Sequence, residues 1–215
     1  MADNKSKVEK FFGGYPLTRY GKGQVIMRPD ETIQKVLYIQ EGTISQYDIT
    51  PAGNEVVLNI FKPGAFMPMS NVLNNVPNRY FFSALAPVAA RLVPADHVIK
   101  FLKEEPDILL DLLKRVYLGT DGIILRMAHL MGGTAKSRLL FEILNSIYRF
   151  GDKQANGAAY LKISENDLAK QSGLTRETVN RTIRDLKKDG LLIVHRNALE
   201  IPNLAKIEEL VGVDL

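Results

Sequence analysis

An α+β fold is predicted for this chain of 215 residues, with strands in its first part and helices in its last. Short β-favouring runs separated by turn residues fill the first hundred residues. Apolar residues then recur at helical spacing after Pro106, and two helix starts follow each other closely after Ser164. We therefore expect a β-rich domain, a long helix, and a small helical domain closed by a β-hairpin.

The composition is that of a globular protein, with 46% hydrophobic and 24% charged residues. A net charge of +4 favours an anionic partner only weakly. The absence of cysteine excludes disulfides, thiolate zinc sites and cysteine-ligated iron–sulfur clusters. The first ten residues lack an apolar core, and no apolar run is long enough to span a bilayer. We therefore expect a cytoplasmic bacterial protein with no membrane partner.

The first hundred residues predict a β-sandwich or barrel. Their β-favouring runs are residues 25–27, 36–39, 56–58 and 89–92. Turns that contain glycine or proline separate these runs at intervals of about eight to twelve residues, a spacing typical of sandwiches and barrels.

A long helix is predicted to begin at Pro106, since the first helical turn does not need the N–H that proline lacks. Its apolar residues recur at a mean period of about 3.5, the spacing of a coiled-coil seam, with Thr120 as the one polar gap. The seam predicts a homodimer, and the alternative is a buried core helix of a monomer. The predicted seam comprises Leu109, Leu113, Val116, Ile123, Met127 and Leu130.

Gly132 and Gly133 end this pattern and predict a hinge between two domains, although a plain helix end would have the same sequence. Thr134 is placed to cap a further helix over residues 135–150. Residues 151–159 are polar and contain glycine, which predicts a loop.

Residues 164–188 predict two helices joined by a tight turn. Ser164 and Thr175 are placed as N-caps, and Gly173 supplies the positive φ that the turn needs. A small residue at Ala169 lets the two helices cross closely. The buried face of the second helix is predicted at Leu174, Val179, Ile183 and Leu186.

The other face of the second helix carries side chains that can contact DNA. Arginine can bond guanine, glutamate can accept from cytosine, and asparagine can pair with adenine. The alternative is an ordinary solvated face. The hairpin after residue 190 would form a wing whose tip carries a further arginine. The predicted DNA contacts are Thr175, Arg176, Glu177, Thr178, Asn180, Arg181, Arg184 and Arg196.

Four stretches resemble the cyclic AMP receptor protein/FNR (CRP/FNR) family of bacterial transcription regulators, and the resemblance covers nearly the whole chain. They are GKGQVI at 21–26, LYIQEG at 37–42, KPGAF at 62–66 and LTRETVNR at 174–181. The resemblance implies that Arg176, Glu177 and Arg181 contact the bases of a GTGA-type half-site in a palindromic operator. Asn180 stands at a variable position that can shift this preference.

The resemblance also implies a domain order. We expect a β-roll sensor domain of the cyclic-nucleotide-binding-like jelly-roll type at 1–104. A long dimerisation helix follows at 105–131, and a winged helix-turn-helix DNA-binding domain at 132–215.

The segment at 66–70 departs from the pattern of family members that bind cyclic nucleotides. Those members carry a Phe-Gly-Glu segment and later an Arg-Ser or Arg-Thr pair, where the Glu holds the ribose and the Arg neutralises the phosphate. This chain has FMPMS, so the Glu is missing and Pro68 removes a backbone donor. Arg79 lies a couple of residues from the expected position. We therefore expect no cyclic nucleotide.

Other family sensors fit no better. An iron–sulfur cluster is excluded by the lack of cysteine, and haem is not expected because His97, His129 and His195 are isolated in the sequence. An apolar stretch nearby would line a pocket for an unidentified effector or form plain core. The candidate pocket residues are Phe66, Met67, Met69, Arg79, Phe81 and Met127.

The function expected is a homodimeric, sequence-specific transcription regulator. Its expected partners are double-stranded DNA, a second copy of the chain, RNA polymerase and a small-molecule effector. The alternative is a cyclic-nucleotide-type sensor that acts through protein partners, against which the helix over 175–184 argues. An enzyme is the third class, and no phosphate loop, paired carboxylates, Ser/His/Asp order or metal cluster supports it.

Overall fold

The computed structural model describes residues 2–196 and 198–212. The chain divides into two compact units, residues 1–118 and 119–215, with the division inside the long helix. The predicted α+β fold is confirmed.

The first unit is a β-roll of two four-stranded antiparallel sheets with helices around it. The sheets have the strand orders β1-β8-β3-β6 and β2-β7-β4-β5. Its elements are α1 (Ala2–Gly13), β1 (Leu17–Tyr20), β2 (Val25–Met27), β3 (Lys35–Glu41), β4 (Ile44–Ile49), β5 (Glu55–Phe61), β6 (Phe66–Met67), α2 (Met69–Asn74), β7 (Phe81–Ala84), β8 (Val88–Pro94), α3 (Ala95–Glu104) and the first part of α4 (Pro106–Gly132).

Gly42 fixes the turn from β3 to β4. Its φ is +81°, and a Cβ at this position would lie 2.2 Å from the carbonyl oxygen of Pro87. Only glycine fits both the positive φ and this close approach. The LYIQEG stretch of the sequence therefore ends where the backbone must turn.

Helix α1 is not predicted by the sequence analysis. Its buried side holds Val8 and Phe12, and the Phe12 ring stacks on Tyr38 with their centroids 4.5 Å apart. Phe11 stacks on Phe101 with centroids 4.0 Å apart. The helix is therefore held by aromatic contacts with distant residues.

The second unit is a small α/β domain in which three short helices and a four-stranded sheet pack on α5. Its antiparallel sheet has the order β11-β12-β10-β9. Its elements after α4 are α5 (Ala135–Phe150), β9 (Asp152–Lys153), β10 (Ala159–Leu161), α6 (Glu165–Ser172), α7 (Arg176–Lys188), β11 (Ile193–His195), β12 (Ala198–Ile201) and α8 (Leu204–Val211).

The predicted loop at 151–159 is partly wrong, because its first residues form strand β9. Lys153 pairs with Ala159 of β10, and Gly157 turns the chain between them with a φ of +83°. A two-residue strand has no periodicity, so the sequence pattern does not mark it.

Helix α5 has the predicted bounds and the predicted cap, since the Thr134 side chain accepts a hydrogen bond from the Ser137 backbone N–H. Hydrogen bonds within the second unit hold the junction between α4 and α5. The Gly133 backbone N–H donates to the His129 carbonyl at 3.0 Å, and Arg138 Nε donates to the Gly133 carbonyl at 3.0 Å. The hinge at this junction stays a prediction.

Candidate nucleic-acid interface

Helices α6 and α7 form the predicted helix-turn-helix. The Ser164 side chain accepts from the Asp167 backbone N–H, and the Thr175 side chain accepts from the Thr178 backbone N–H. Gly173 ends α6 in the left-handed region with a φ of +64°, as the turn requires. Helix α6 extends one residue beyond its predicted end. These local bonds fix where each helix starts and stops.

The inner face of α7 is buried in the core of the second unit. Val179 and Leu186 are fully buried, Ile183 is 4% exposed, and Leu174 packs partly buried against the same cluster. The predicted buried face of α7 is confirmed. Because this face is packed, the orientation of α7 about its axis is fixed, and the opposite face points to solvent.

Four of the exposed charged side chains on α7 are predicted DNA contacts. They are Arg176, Glu177, Arg181 and Arg184. Thr175 is also exposed at the helix start, and Thr178 is half-buried beside it with its hydroxyl 2.9 Å from that of Thr175. Seven of the eight predicted DNA contacts therefore lie on one helix and its cap.

Asn180 differs from its charged neighbours because it is half-buried and held by α6. Its Nδ2 donates to Glu165 Oε2 at 2.9 Å. Arg176 Nε lies 3.9 Å from the same oxygen. The sequence analysis did not single out Glu165 and missed this contact.

Strands β11 and β12 form the predicted hairpin. Val194 pairs with Leu199 across it, and the His195 ring nitrogen Nε2 lies 2.7 Å from Glu200 Oε2. Arg196 follows β11 and is exposed. The eighth predicted contact therefore stands at the end of the hairpin, apart from α7.

A buried ionic network joins α4, α5 and α6 within the second unit. Arg126 Nε donates to Glu142 Oε1 at 2.5 Å, and Arg126 also donates to the Gln171 carbonyl. The exposed fractions of the Arg126 and Glu142 side chains are 14% and 2%. Burial raises the pKa of Glu142, and Arg126 opposes that rise. Burial lowers the pKa of Arg149 beside this pair.

The seam predicted on α4 is exposed or half-buried in the single chain. The exposed fractions run from 42% at Leu109 to 55% at Met127, and Leu130 is half-buried. A second row of apolar residues lies beside it and is more exposed still, at 64% for Tyr117 and 76% for Met131. An apolar face with this exposure is a candidate interaction surface.

The candidate pocket residues of the β-roll do not converge on one cavity. Met67 is fully buried and Met69 nearly so, in separate core clusters, and the Phe81 ring stacks on Tyr47. Arg79 is exposed. Met127 is exposed on the part of α4 that belongs to the second unit.

Phe66 lines a cavity of 520 Å³ in the β-roll unit. Its walls come from α1, β3, the turn before β6, and α4. Tyr38, Glu9 and Arg115 carry polar groups in this wall, and Arg115 donates to the Gly64 carbonyl at 3.0 Å. Burial and Glu9 raise the pKa of Tyr38, whereas Arg115 lowers it. Sequence reasoning missed this cavity because its walls come from distant segments.

The three histidines have ordinary neighbours. His97 Nδ1 lies 3.0 Å from the Tyr15 hydroxyl, and the His129 ring stacks on Phe141. Across residues 2–196 and 198–212, no three His, Cys, Asp or Glu side chains converge as metal ligands would. Within the same residues, no helix has the length and apolar character of a membrane span.

Two family models match the two parts of the chain. The cyclic nucleotide-binding domain model matches residues 17–105, and the Crp-like helix-turn-helix model matches residues 137–210. The first range spans the β-roll, and the second spans the candidate interface and its wing.

Curated relatives match along most of the chain. It is 25% identical to a global nitrogen regulator of Nostoc sp., over 88% of this chain and 87% of the relative. It is 23% identical to the fumarate and nitrate reduction regulatory protein of Escherichia coli, over 89% and 76%. The relatives are thus transcription regulators rather than enzymes.

Solved structures share the fold. A CooA mutant from Carboxydothermus hydrogenoformans superposes with a TM-score of 0.79 at 20% identity, over 94% of this chain and 90% of that one. CLP of Xanthomonas campestris, a c-di-GMP-responsive global regulator, gives 0.80 at 16%, over 92% and 98%. With both domain models, the relatives and the helix-turn-helix in agreement, the chain belongs to the CRP/FNR family and is a DNA-binding transcription regulator of that type.

Proposed function

We propose that two copies of the chain pair through α4 and bind a palindromic operator, each inserting α7 into the major groove. The charged outer face of α7 carries this proposal, because its inner face is locked in the core. Two-fold symmetric helix-turn-helix dimers bind half-sites about 34 Å apart, which is one turn of DNA.

Within each half-site, Arg176 and Arg181 are suited to bidentate bonds with guanine, and Glu177 to accepting from cytosine N4. The family pattern supports a GTGA-type half-site for these three. Arg184 and Arg196, with the hydroxyls of Thr175 and Thr178, are suited to phosphate oxygens. Such phosphate contacts position the protein and carry no sequence information.

The dimer proposal rests on the apolar face of α4. The predicted seam is 42–55% exposed from Leu109 to Met127, with Leu130 half-buried, and a partner helix would cover it. A heptad-spaced seam favours a parallel or antiparallel pair of α4 helices, and a two-fold operator calls for two-fold symmetry in the protein.

The effector is proposed to be a small molecule other than a cyclic nucleotide. The residues at the family's nucleotide site do not fit that ligand, because FMPMS at 66–70 contains no Glu, Pro68 has no N–H, and Arg79 is exposed. The cavity beside Tyr38 supports a different site. Its volume of 520 Å³ lies in the range of small-molecule pockets. The proposal does not include haem. It includes RNA polymerase as a partner and the cytoplasm as the site of action.

Fluorescence anisotropy on a selected palindromic duplex tests the DNA assignment. Arg181→Ala is expected to lose about 1–3 kcal/mol of binding free energy, chiefly on the preferred operator. Arg19→Ala removes the same charge from an exposed position in β1 and serves as the control. If Arg181→Ala keeps the affinity of the unsubstituted protein for both the preferred and the scrambled duplex, the assignment is overturned.

Thermal-shift titration tests the effector proposal. Cyclic AMP and cyclic GMP are expected to leave the melting temperature unchanged, whereas a metabolite that binds beside Tyr38 raises it in the unsubstituted protein and less in Tyr38→Phe. A saturable shift by either cyclic nucleotide would contradict the proposal.

A further inference from the structure

Glu165 ties the first helix of the helix-turn-helix to the second at the surface that faces DNA. Its carboxylate accepts from Asn180 Nδ2 at 2.9 Å and lies 3.9 Å from Arg176 Nε. The exposed fraction of the Glu165 side chain is 34%, and Asn180 is half-buried. The Asn180 amide is thus partly sheltered from water, on a face whose charged members are exposed.

The contact fixes which way the Asn180 amide points. An ionised carboxylate only accepts hydrogen bonds, so Asn180 must turn its NH₂ group toward Glu165. The reverse orientation would place Oδ1 against a carboxylate oxygen. Oδ1 is therefore the acceptor left for another partner, along with the second hydrogen of the NH₂ group.

The contact with Arg176 is weaker. The Arg176 side chain is 74% exposed and its Nε lies 3.9 Å from the carboxylate. Exposed ion pairs at such distances contribute little. We therefore place the influence of Glu165 on Asn180, where the hydrogen bond is short and partly buried.

We propose that Glu165 is a positioning residue which determines, through Asn180, the base preferred at one operator position. An acceptor oxygen favours a base with an exocyclic amino group, which is adenine or cytosine. Adenine is favoured further, because its N7 can accept the second amide hydrogen while its N6 donates to Oδ1. This inference rests on the proposed operator binding by α7.

The test is a panel of duplexes that differ only at the base pair facing Asn180. That position is identified as the one whose preference is lost in Asn180→Ala. The unsubstituted protein is expected to prefer adenine there over guanine or thymine by about 5- to 150-fold, the range of one good base contact. In Glu165→Gln the new amide can either donate or accept, so Asn180 can turn over and the preference is expected to fall to about threefold or less.

Asp167→Asn is the matched control. It removes one negative charge from the same first turn of α6, but its carboxylate bonds the Ser164 hydroxyl and not α7. Loss of charge alone would strengthen binding to every duplex alike in both variants, because DNA is anionic. Only loss of positioning changes the preference at one base pair.

A double-mutant cycle separates a direct from an indirect role. Glu165→Gln in an Asn180→Ala background is expected to have no position-specific effect. Thermal melts check folding, and Glu165→Ala serves as a second variant if Glu165→Gln melts early.

An unchanged adenine preference in folded Glu165 variants would overturn the inference and leave operator binding standing. A position-specific effect of Glu165→Gln that persists in the Asn180→Ala background would also overturn the inference and leave operator binding standing. Failure of the unsubstituted protein to prefer any duplex would instead overturn the proposed function.

Discussion

The exposed faces of α4 and α7 have opposite chemistry. Both helices pack one side into a core, yet α4 exposes apolar side chains such as Val116 and Ile123, at 53% and 48%. Helix α7 exposes charged side chains, among them Arg181 and Arg184.

The difference shows what each surface can bind. Apolar surface gains free energy when any matching apolar surface covers it, at about 25 cal/mol per Å². Charged surface gains only where the partner supplies complementary charge and hydrogen bonds, as DNA does. Helix α4 is therefore the candidate for pairing with protein, and α7 for contact with nucleic acid.

The largest expected effect comes from making the α4 face resemble that of α7. Val116→Glu with Ile123→Glu places four carboxylates in the seam of the proposed dimer. Each side chain is about half exposed, so covering it contributes about half of the 1.5–3 kcal/mol of full burial, and the dimer should weaken by about 3 kcal/mol or more. Sedimentation velocity at micromolar concentration is expected to show a monomer.

Leu118→Glu is the control for this seam. Leu118 is 72% exposed but lies about 200° around the helix from Val116. This variant should remain dimeric. If the double variant also stays dimeric, the two chains pair elsewhere.

A smaller effect is expected on the inner side of α7. Ile183 is 4% exposed, and Ile183→Ala should lower the free energy of unfolding by about 2–5 kcal/mol because it leaves a cavity in the core. Urea unfolding followed by circular dichroism measures it. Ile183→Val keeps most of the volume and should cost about 0.5–1.5 kcal/mol. Equal stability of all three proteins would show that this face is not packed.

The smallest effect on stability is expected one residue further along. Arg184→Ala should change the free energy of unfolding by no more than about 0.5 kcal/mol, since its side chain is exposed. It should weaken binding to all DNA sequences alike. The slope of the logarithm of the binding constant against the logarithm of the salt concentration should fall by about one unit, as loss of one phosphate contact does. A loss confined to one operator would make Arg184 a base contact instead.

Local patterns in the sequence predicted the second unit well. Thr134 and Thr175 cap the helices that they were expected to cap, and α5 has the expected bounds. Capping and helical periodicity depend on neighbours a few residues away, so one sequence suffices to find them.

Features made by distant residues escaped prediction. Helix α1 depends on Phe12 meeting Tyr38, and the pairing of Glu165 with Asn180 joins residues on two helices. The cavity lined by Arg115 likewise needs α1 and α4 together. A list of nearby apolar residues such as Met67 and Met69 cannot show which of them face a cavity and which fill a core.

Arg126 joins the last turns of α4 to α5 and α6, since one guanidinium bonds Glu142 and the Gln171 carbonyl. Residues 119–132 then act as a lever arm of about 20 Å. A torque applied to α4 near Gly119 would swing α7 through space without any bending at Gly133. The buried ion pair, together with the His129 ring stacked on Phe141, would thus help to turn a small rotation of α4 into a displacement of α7.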